Sequence, residues 1–371
     1  MTTRPPARAR RLLTGLRLAA QHIARPLADP VEAVRSMLAM QGQDYLGVLC
    51  SAGLRSGASE SEVEAAHASG ALVRSWPMRG TLHLVAAEDL GWLLSLTSER
   101  IVRMTAGRYR ELELDERDFA RAAAVARDRL AGGGRADRAE LLAAFQEAGI
   151  GTEGQRGPHL LGHLAYTGLI VLSGRTEYAL LDEHVREPRR LDPQSAADEL
   201  ALRYFTGHGP ATVRDLAWWS GLPLTRVREA AARVRDRLDA IEVEGVEYLM
   251  RPGLEADGDG VHLLPGFDEY LLGYTDRSAA LAPERADAVV PGGNGMFRST
   301  IVARGEVLGV WTRERRKAAV RIALEPFAPL SGRDERGVAS AARRYGRFLG
   351  SAAEVDGLEA RPPRGRSSIA S

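Results

Sequence analysis

The sequence predicts an α+β chain, mainly α, in which a helix-turn-helix followed by a β-hairpin occurs three times and a small β-domain closes the chain. Three observations carry this prediction. Segments with apolar residues at helical spacing are separated by Gly and Pro. Each such group is followed by two short β-prone runs around a turn. After residue 260 the pattern changes to short strand-like runs.

The clearest unit runs from Ala196 to Met250. Ala196–Thr206 reads as a helix, broken by Gly207-His208-Gly209-Pro210. Thr212 caps a second helix, Val213–Ser220, with Asp215 as the acidic partner in its first turn. Gly221 ends it, and Pro223 opens Leu224–Arg237, where Leu224, Val227, Ala230, Ala231, Val234 and Leu238 keep helical spacing. Ala240–Val243 and Val246–Met250 follow as strands joined by Glu244-Gly245. This is the order of a winged helix. The order recurs earlier, in the helices Arg138–Ala148 and Gly157–Tyr166 and the strands Leu169–Leu172 and Glu177–Leu181. A further copy fits helices at Val31–Met40, Leu46–Ser56 and Ser61–Ser69, with Val73–Val85 as its wing.

In the last third, His262–Leu264, Thr300–Ala303, Val307–Trp311 and Val320–Leu324 read as strands, and Arg304-Gly305 as a hairpin turn. A helix over about 336–349 closes this domain. The expected division is 1–130, 131–192, 193–258 and 259–352, with a disordered tail from 353 that is Pro-, Arg- and Ser-rich beyond Arg361.

At 371 residues the chain can form two or three domains. The longest apolar stretches, such as Leu90–Leu96, are too short to span a bilayer, and no signal core follows the Arg-rich start. A cytoplasmic location is the expectation. Cys50 is the only cysteine, which excludes an intrachain disulfide and argues against a thiolate metal site. Neither metal nor cofactor is expected. The net charge is +1, but two segments are locally basic. Residues 1–40 hold seven arginines against Asp29 and Glu32. Residues 298–321 hold Arg298, Arg304, Arg313, Arg315, Arg316, Lys317 and Arg321 against Glu306 and Glu314. Such stripes fit a phosphate backbone or are solvated surface. Lys317 is the only lysine, so Schiff-base chemistry has almost no candidate.

Gln41-Gly42-Gln43-Asp44 is the most chemically suggestive stretch. Two amides two residues apart can orient a water without charge of their own, which suits attack on a substrate that is already cationic. Read blandly, the stretch is a polar loop between two helices. Asp44 reads as a cap or structural carboxylate ahead of a base. His83 is functional or satisfies a buried backbone group, and Arg79 binds phosphate or forms a structural ion pair. His159 and His163 are four apart but lack a third zinc ligand. Trp218 and Trp219 read as core and groove packing, and Gly292-Gly293-Asn294-Gly295 as a turn.

Taken in order, Gln41-Gly42-Gln43-Asp44, Met78-Arg79-Gly80-Thr81-Leu82-His83, Gly209-Pro210-Ala211-Thr212 with Asp215–Leu222, Leu264–Tyr270 and Gly293–Phe297 resemble the AlkZ/YcaQ-like winged-helix DNA glycosylases of bacteria. The resemblance implies three tandem winged helices and a C-terminal small β-barrel-like domain around a DNA channel. It implies excision of alkylated bases, including bulky N7-alkylguanine adducts and interstrand crosslinks, with Gln41 and Gln43 as the catalytic pair. Gly42 departs from the usual apolar middle residue. Gln43 in place of aspartate resembles the branch associated with self-resistance to DNA-alkylating natural products. The expected enzyme is a monomeric, monofunctional glycosylase of duplex DNA, with Arg79, His83, Arg298, Arg313, Arg315, Arg316 and Lys317 as DNA-contact candidates. The alternatives are a non-catalytic winged-helix regulator and a toxin-sequestering protein.

Overall fold

The computed structural model describes residues 4–356. The expected tail from residue 357 onward lies outside the described residues. The chain begins with helices α1 (Ala7–Ala20) and α2 (Pro30–Met37) and a two-residue strand β1 (Met40–Gln41). Helices α3 (Tyr45–Ser56) and α4 (Glu60–Ala68) lead into the hairpin β2 (Leu72–Met78) and β3 (Thr81–Ala86). Four helices follow: α5 (Ala87–Glu111), α6 (Glu116–Leu130), α7 (Arg138–Glu147) and α8 (Arg156–Tyr166). The second hairpin is β4 (Ile170–Leu172) and β5 (Tyr178–Leu180), and the short α9 (Leu181–His184) comes after it.

The third repeat matches its sequence reading most closely. It consists of α10 (Pro193–His208), α11 (Val213–Ser220), α12 (Leu224–Arg233), β6 (Asp239–Val243) and β7 (Val246–Met250). The expected cap is present in full: the Thr212 hydroxyl accepts from the Asp215 N–H, and the Asp215 carboxylate accepts from the Thr212 N–H. Such a reciprocal cap is worth about 1 kcal/mol. Gly221 ends α11 at φ 72°, which glycine adopts without a Cβ penalty.

The hairpins do not form three separate wings. The first two merge in one sheet of order β1-β3-β2-β4-β5, with Arg74 of β2 opposite Leu172 of β4, while β6-β7 stands alone. The reason is apolar content. β4 and β5 are buried throughout and β2 nearly so, which leaves no polar face for an isolated ribbon. Tyr204, Phe205 and Trp219 of the third repeat share a core with Met78 and Val85 of the first hairpin and Trp92 of α5. That core brings the tip of the first hairpin to the end of α11.

The C-terminal part holds β8 (Val261–Leu264), α13 (Glu269–Leu272), α14 (Ala286–Val289), β9 (Thr300–Ala303), β10 (Glu306–Arg315), β11 (Ala319–Pro326), α15 (Gly332–Phe348) and β12 (Ala352–Asp356). Its sheet order is β12-β11-β10-β9-β8, an open half-barrel rather than a closed barrel, covered by α15. Arg304 and Gly305 make the expected turn, both with positive φ. The expected start of the tail at 353 is corrected. Residues up to Asp356 pair in parallel with β11, burying part of Ala353 and Val355 against the core under α15. No helix among the described residues is long and apolar enough to cross a membrane.

Candidate active site

Gln41 sits on a strand, which corrects the reading of its stretch as a loop after a helix running to Met40. Helix α2 stops at Met37 because Leu38 turns to φ 64°. The backbone then extends, and Met40 and Gln41 pair with Leu84 and His83 of β3. A strand fixes its side chains more tightly than a loop does, and Gln43 follows just beyond its end. The Gly42 N–H donates to the Leu82 carbonyl at 2.7 Å, and the Leu82 N–H donates to Gln43 Oε1 at 3.3 Å. Gln41 is only 9% exposed, whereas Gln43 faces solvent.

Sequence reasoning missed the group that holds Gln41. The Gln41 N–H donates to Glu269 Oε1 at 2.9 Å, and Trp219 Nε1 donates to Glu269 Oε2 at 2.9 Å. His208 Nε2 lies 3.5 Å from that second oxygen. Glu269 is 1% exposed. Burial by itself would raise its pKa, but contact with His208 and the nearby Arg79 charge outweigh that and hold the carboxyl at about 2. A signal was available: Asp268-Glu269 is a pair of carboxylates inside an otherwise apolar run. Its neighbour Asp268 is spent on structure. It receives a two-pronged bond from Arg55, at 2.9 Å on each oxygen, and a hydrogen bond from Ser51.

Arg79 and Gly80 form the β2–β3 turn with φ of 54° and 68°. A non-glycine residue there carries local strain, and it aims the guanidinium inward. Arg79 donates to the Trp219 carbonyl, to Gln41 Oε1 at 3.4 Å and to His83 Nε2 at 3.3 Å. No carboxylate lies within ion-pair range among the described residues, so of the two readings of Arg79 the structural ion pair does not form, and three neutral acceptors hold the guanidinium. Arginine can only donate, so His83 Nε2 accepts, and the ring proton sits on Nδ1, which donates to the Thr81 carbonyl at 2.8 Å. Burial, then the Arg79 charge, push the His83 pKa down to about 4. His83 is therefore a neutral, buried spacer. The same logic orients Gln41: Oε1 faces Arg79, so its NH2 group points elsewhere.

Gly42 also has a physical account. A Cβ there would lie 3.1 Å from Arg74 Cδ and 3.4 Å from Cγ. The missing side chain makes room for Arg74, which is buried and lies 4.8 Å over the Tyr45 ring. Asp44 occupies the cap position of α3, but its side chain caps nothing; it accepts from Arg313 at 3.3 Å.

The remaining candidates separate in space. Arg79 and His83 surround Gln41. Arg313, Arg315, Arg316 and Lys317 lie on the β10–β11 hairpin, and most are already paired: Arg313 with Asp44, Arg315 with Glu60, Arg316 with Glu314. Arg298 grips both oxygens of Glu325 at 2.7 and 2.8 Å. Lys317, exposed at the hairpin tip, has no recorded partner among the described residues. Four of the seven arginines in the N-terminal stripe are likewise paired, Arg4 and Arg10 with Glu306, Arg25 with Asp257 and Arg35 with Glu32 and Glu88. His163 stacks on Phe119 at 3.8 Å, and no cluster of three metal-ligating residues occurs among the described residues. Trp219 is fully buried core; Trp218 is 37% exposed, with Arg79 and Arg277 each 5.2 Å from its ring.

Comparison with known proteins identifies the family. The family model described as "DNA glycosylase AlkZ-like" matches residues 34–348. An interstrand DNA cross-link repair glycosylase from Streptomyces sahachiroi is 26% identical over 310 residues, covering 76% of this chain and 81% of that protein. The solved structure of Streptomyces sahachiroi DNA glycosylase AlkZ superposes with a TM-score of 0.76 at 22% identity, over 94% of this chain and 99% of that one, and so shares the fold. With a match that spans both glutamines, the Arg79 hairpin and Glu269, this chain belongs to the AlkZ-like DNA glycosylase family.

Proposed function

We propose that this glycosylase hydrolyses the N-glycosidic bond of N7-alkylguanine in duplex DNA, including bulky and crosslinked adducts, and that it serves resistance to a DNA-alkylating natural product. An N7-alkylated guanine is cationic and leaves without being protonated, so no strong general acid is needed. What the protein must supply is a water held near C1′ and relief of the charge that develops on the sugar. The observation that carries the reading is the pinned amide of Gln41. Glu269 holds its backbone, Arg79 holds its carbonyl oxygen, and the one imidazole beside it is held neutral. Gln43, two residues on, has one recorded contact and faces solvent. Each amide oxygen keeps a second lone pair for a water proton. Positioning of this kind supplies up to about 7–11 kcal/mol in the best intramolecular cases. The buried Glu269 carboxylate adds negative charge behind a site where positive charge builds up.

Several finer expectations belong to the same reading. The enzyme leaves an abasic site and does not cut the strand, because its single lysine is at the β10–β11 tip and the pinned amides are on and beside β1. It acts as a cytoplasmic monomer. Arg315, Arg316 and Lys317 at the tip, with Arg298 and Arg313 behind, contact backbone phosphates, exchanging exposed ion pairs worth about 0–1 kcal/mol each for phosphate oxygens.

The test is base release from duplex DNA carrying a defined N7-alkylguanine, compared with undamaged duplex. Gln43→Ala is expected to slow release at least about 100-fold with DNA affinity nearly unchanged. Loss of binding in step with release would make Gln43 structural. Tight binding to one undamaged sequence, with no release from any N7 adduct, would favour a regulator.

A further inference from the structure

Most of the basic residues marked out by the sequence are already committed to carboxylates, which directs attention to a cation that the sequence did not mark. Arg277 lies on the floor of a cavity of about 770 Å³ between the end of α11 and the loop from Pro291 to Phe297. Three contacts fix it. Its Nε donates to the Leu271 carbonyl at 2.8 Å, and its guanidinium lies 5.2 Å from the Trp218 ring and 5.0 Å from the Phe297 ring. Its two terminal nitrogens make no hydrogen bond or ion pair among the described residues. Burial pulls its pKa down and the Arg79 charge adds to this, against the opposing pull of the nearby Asp215 and Asp276 carboxylates. The two carboxylates lining the cavity are turned to the backbone, Asp276 accepting from the Ser278 N–H and Asp287 from the Gly292 N–H.

Trp218, which lines the cavity, links it to Gln41 by way of Arg79. Arg79 contacts Gln41 through one nitrogen and lies 5.2 Å from the same Trp218 ring that Arg277 faces. A guanidinium held by aromatic rings and one backbone bond, with its outer fork free, is preorganised for a two-pronged bond to a phosphate. Cations that must first break an ion pair are not. The geometry points to Arg277 as the residue that grips a DNA phosphodiester next to the nucleotide being hydrolysed, with Trp218 and Phe297 as the walls that hold the fork in place. This inference rests on the duplex-DNA reading above and assigns a binding site within it.

The experiment combines a charge change on each side. Duplexes carrying one N7-methylguanine are made with a single neutral methylphosphonate at each of the six phosphates around the lesion. Binding is measured over a range of salt for the full chain and for Arg277→Gln and Arg277→Lys. One methylphosphonate is expected to weaken the unmodified protein about tenfold and Arg277→Gln less than about twofold. Arg277→Gln is expected to lower the slope of log affinity against log salt by about one, and Arg277→Lys to keep both slope and methylphosphonate sensitivity. An Arg277→Gln protein with an unchanged slope and an unchanged methylphosphonate profile would overturn the assignment. Should Arg277→Gln unfold, the unmodified protein decides: equal affinity for all six methylphosphonate duplexes would overturn it. Base release by the unmodified protein on the same duplexes separates the two readings. Failure to release base sinks the glycosylase chemistry while leaving the phosphate contact to be judged on binding alone.

Discussion

The β2–β3 and β10–β11 hairpins both carry arginine at or beside the turn, and the fates of those arginines are opposite. In β2–β3, the Arg79-Gly80 turn faces inward, against Trp219 and Gln41, and Arg79 spends its donors on two carbonyl oxygens and a ring nitrogen. In β10–β11, Arg315, Arg316 and Lys317 are exposed, and the arginines hold exposed or rim carboxylates. One hairpin tip is packed into the core and the other stands in solvent. A guanidinium in the first setting is a fixed strut; in the second it is a mobile charge. The contrast teaches that a basic residue near a site is assigned by what it has already bonded, not by its charge. The two settings should respond differently to mutation.

The largest effect is expected at the buried end. Glu269→Gln keeps the shape but turns one N–H acceptor into a donor, so either the Gln41 N–H or Trp219 Nε1 loses its partner. The cost is about 2–3 kcal/mol of stability, with base release falling further than DNA affinity because Gln41 loses its anchor. Denaturant unfolding with parallel release assays checks this, and an unchanged unfolding midpoint would remove Glu269 from the role of anchor. The same region sets the acid limit. His83 has its pKa depressed from an ordinary value of 6.5 to about 4, so the native state favours the neutral ring. Its contribution to stability is complete above about pH 6.5 and is lost as the pH falls from there toward 4. Buried His67 and His262, also depressed to about 4 by burial, act in the same direction. Unfolding free energy should therefore be level above neutrality and decline across that window, less steeply in His83→Asn. A decline confined to pH below 4 would contradict the neutral assignment.

The solvent-side hairpin should behave in the other way. Arg316→Ala with Lys317→Ala is expected to leave the unfolding midpoint within about 0.5 kcal/mol and to lower the salt slope of DNA binding by about two. Equilibrium binding at several salt concentrations reads this directly. Slopes equal to those of the unmodified protein would place the DNA elsewhere.

The same division governs what was legible in the sequence. Helix α11 could be read to the residue because its signals are local: Thr212 and Asp215 are three apart, and Gly221 follows. The Glu244-Gly245 and Arg304-Gly305 turns were legible for the same reason. Strand β1 was not, because two residues become a strand only through partners on β3. Nor was the merging of the first two hairpins, which depends on β2 meeting β4. Gln41 and Gln43 stood out by residue type and by family resemblance. Glu269 showed only as one of two carboxylates in an apolar run; its role did not, since its contacts come from β1, α10 and α11, which no spacing reveals. Charge counts said least: they left the two basic segments open between phosphate stripe and solvated surface, and could not show that nearly all of the later one is paired with carboxylates.

The smallest expected effect sharpens the comparison at the motif itself. Gly42 has an ordinary negative φ, so alanine is not excluded by backbone conformation; what opposes it is the Arg74 side chain 3.1 Å from the new Cβ. Arg74 must yield by a few tenths of an ångström, and it is buried over Tyr45, with Nη2 donating to the Arg175 carbonyl. Gly42→Ala should therefore cost about 1 kcal/mol or less in stability and slow base release a few-fold by shifting Gln43. The double variant with Arg74→Ala should be less impaired than the sum of the two single changes, since the clash vanishes with the side chain. Strict additivity in that cycle would mean that Arg74 does not oppose the new Cβ, and that the pairing of a glycine with a buried arginine has no bearing on how the two amides are placed.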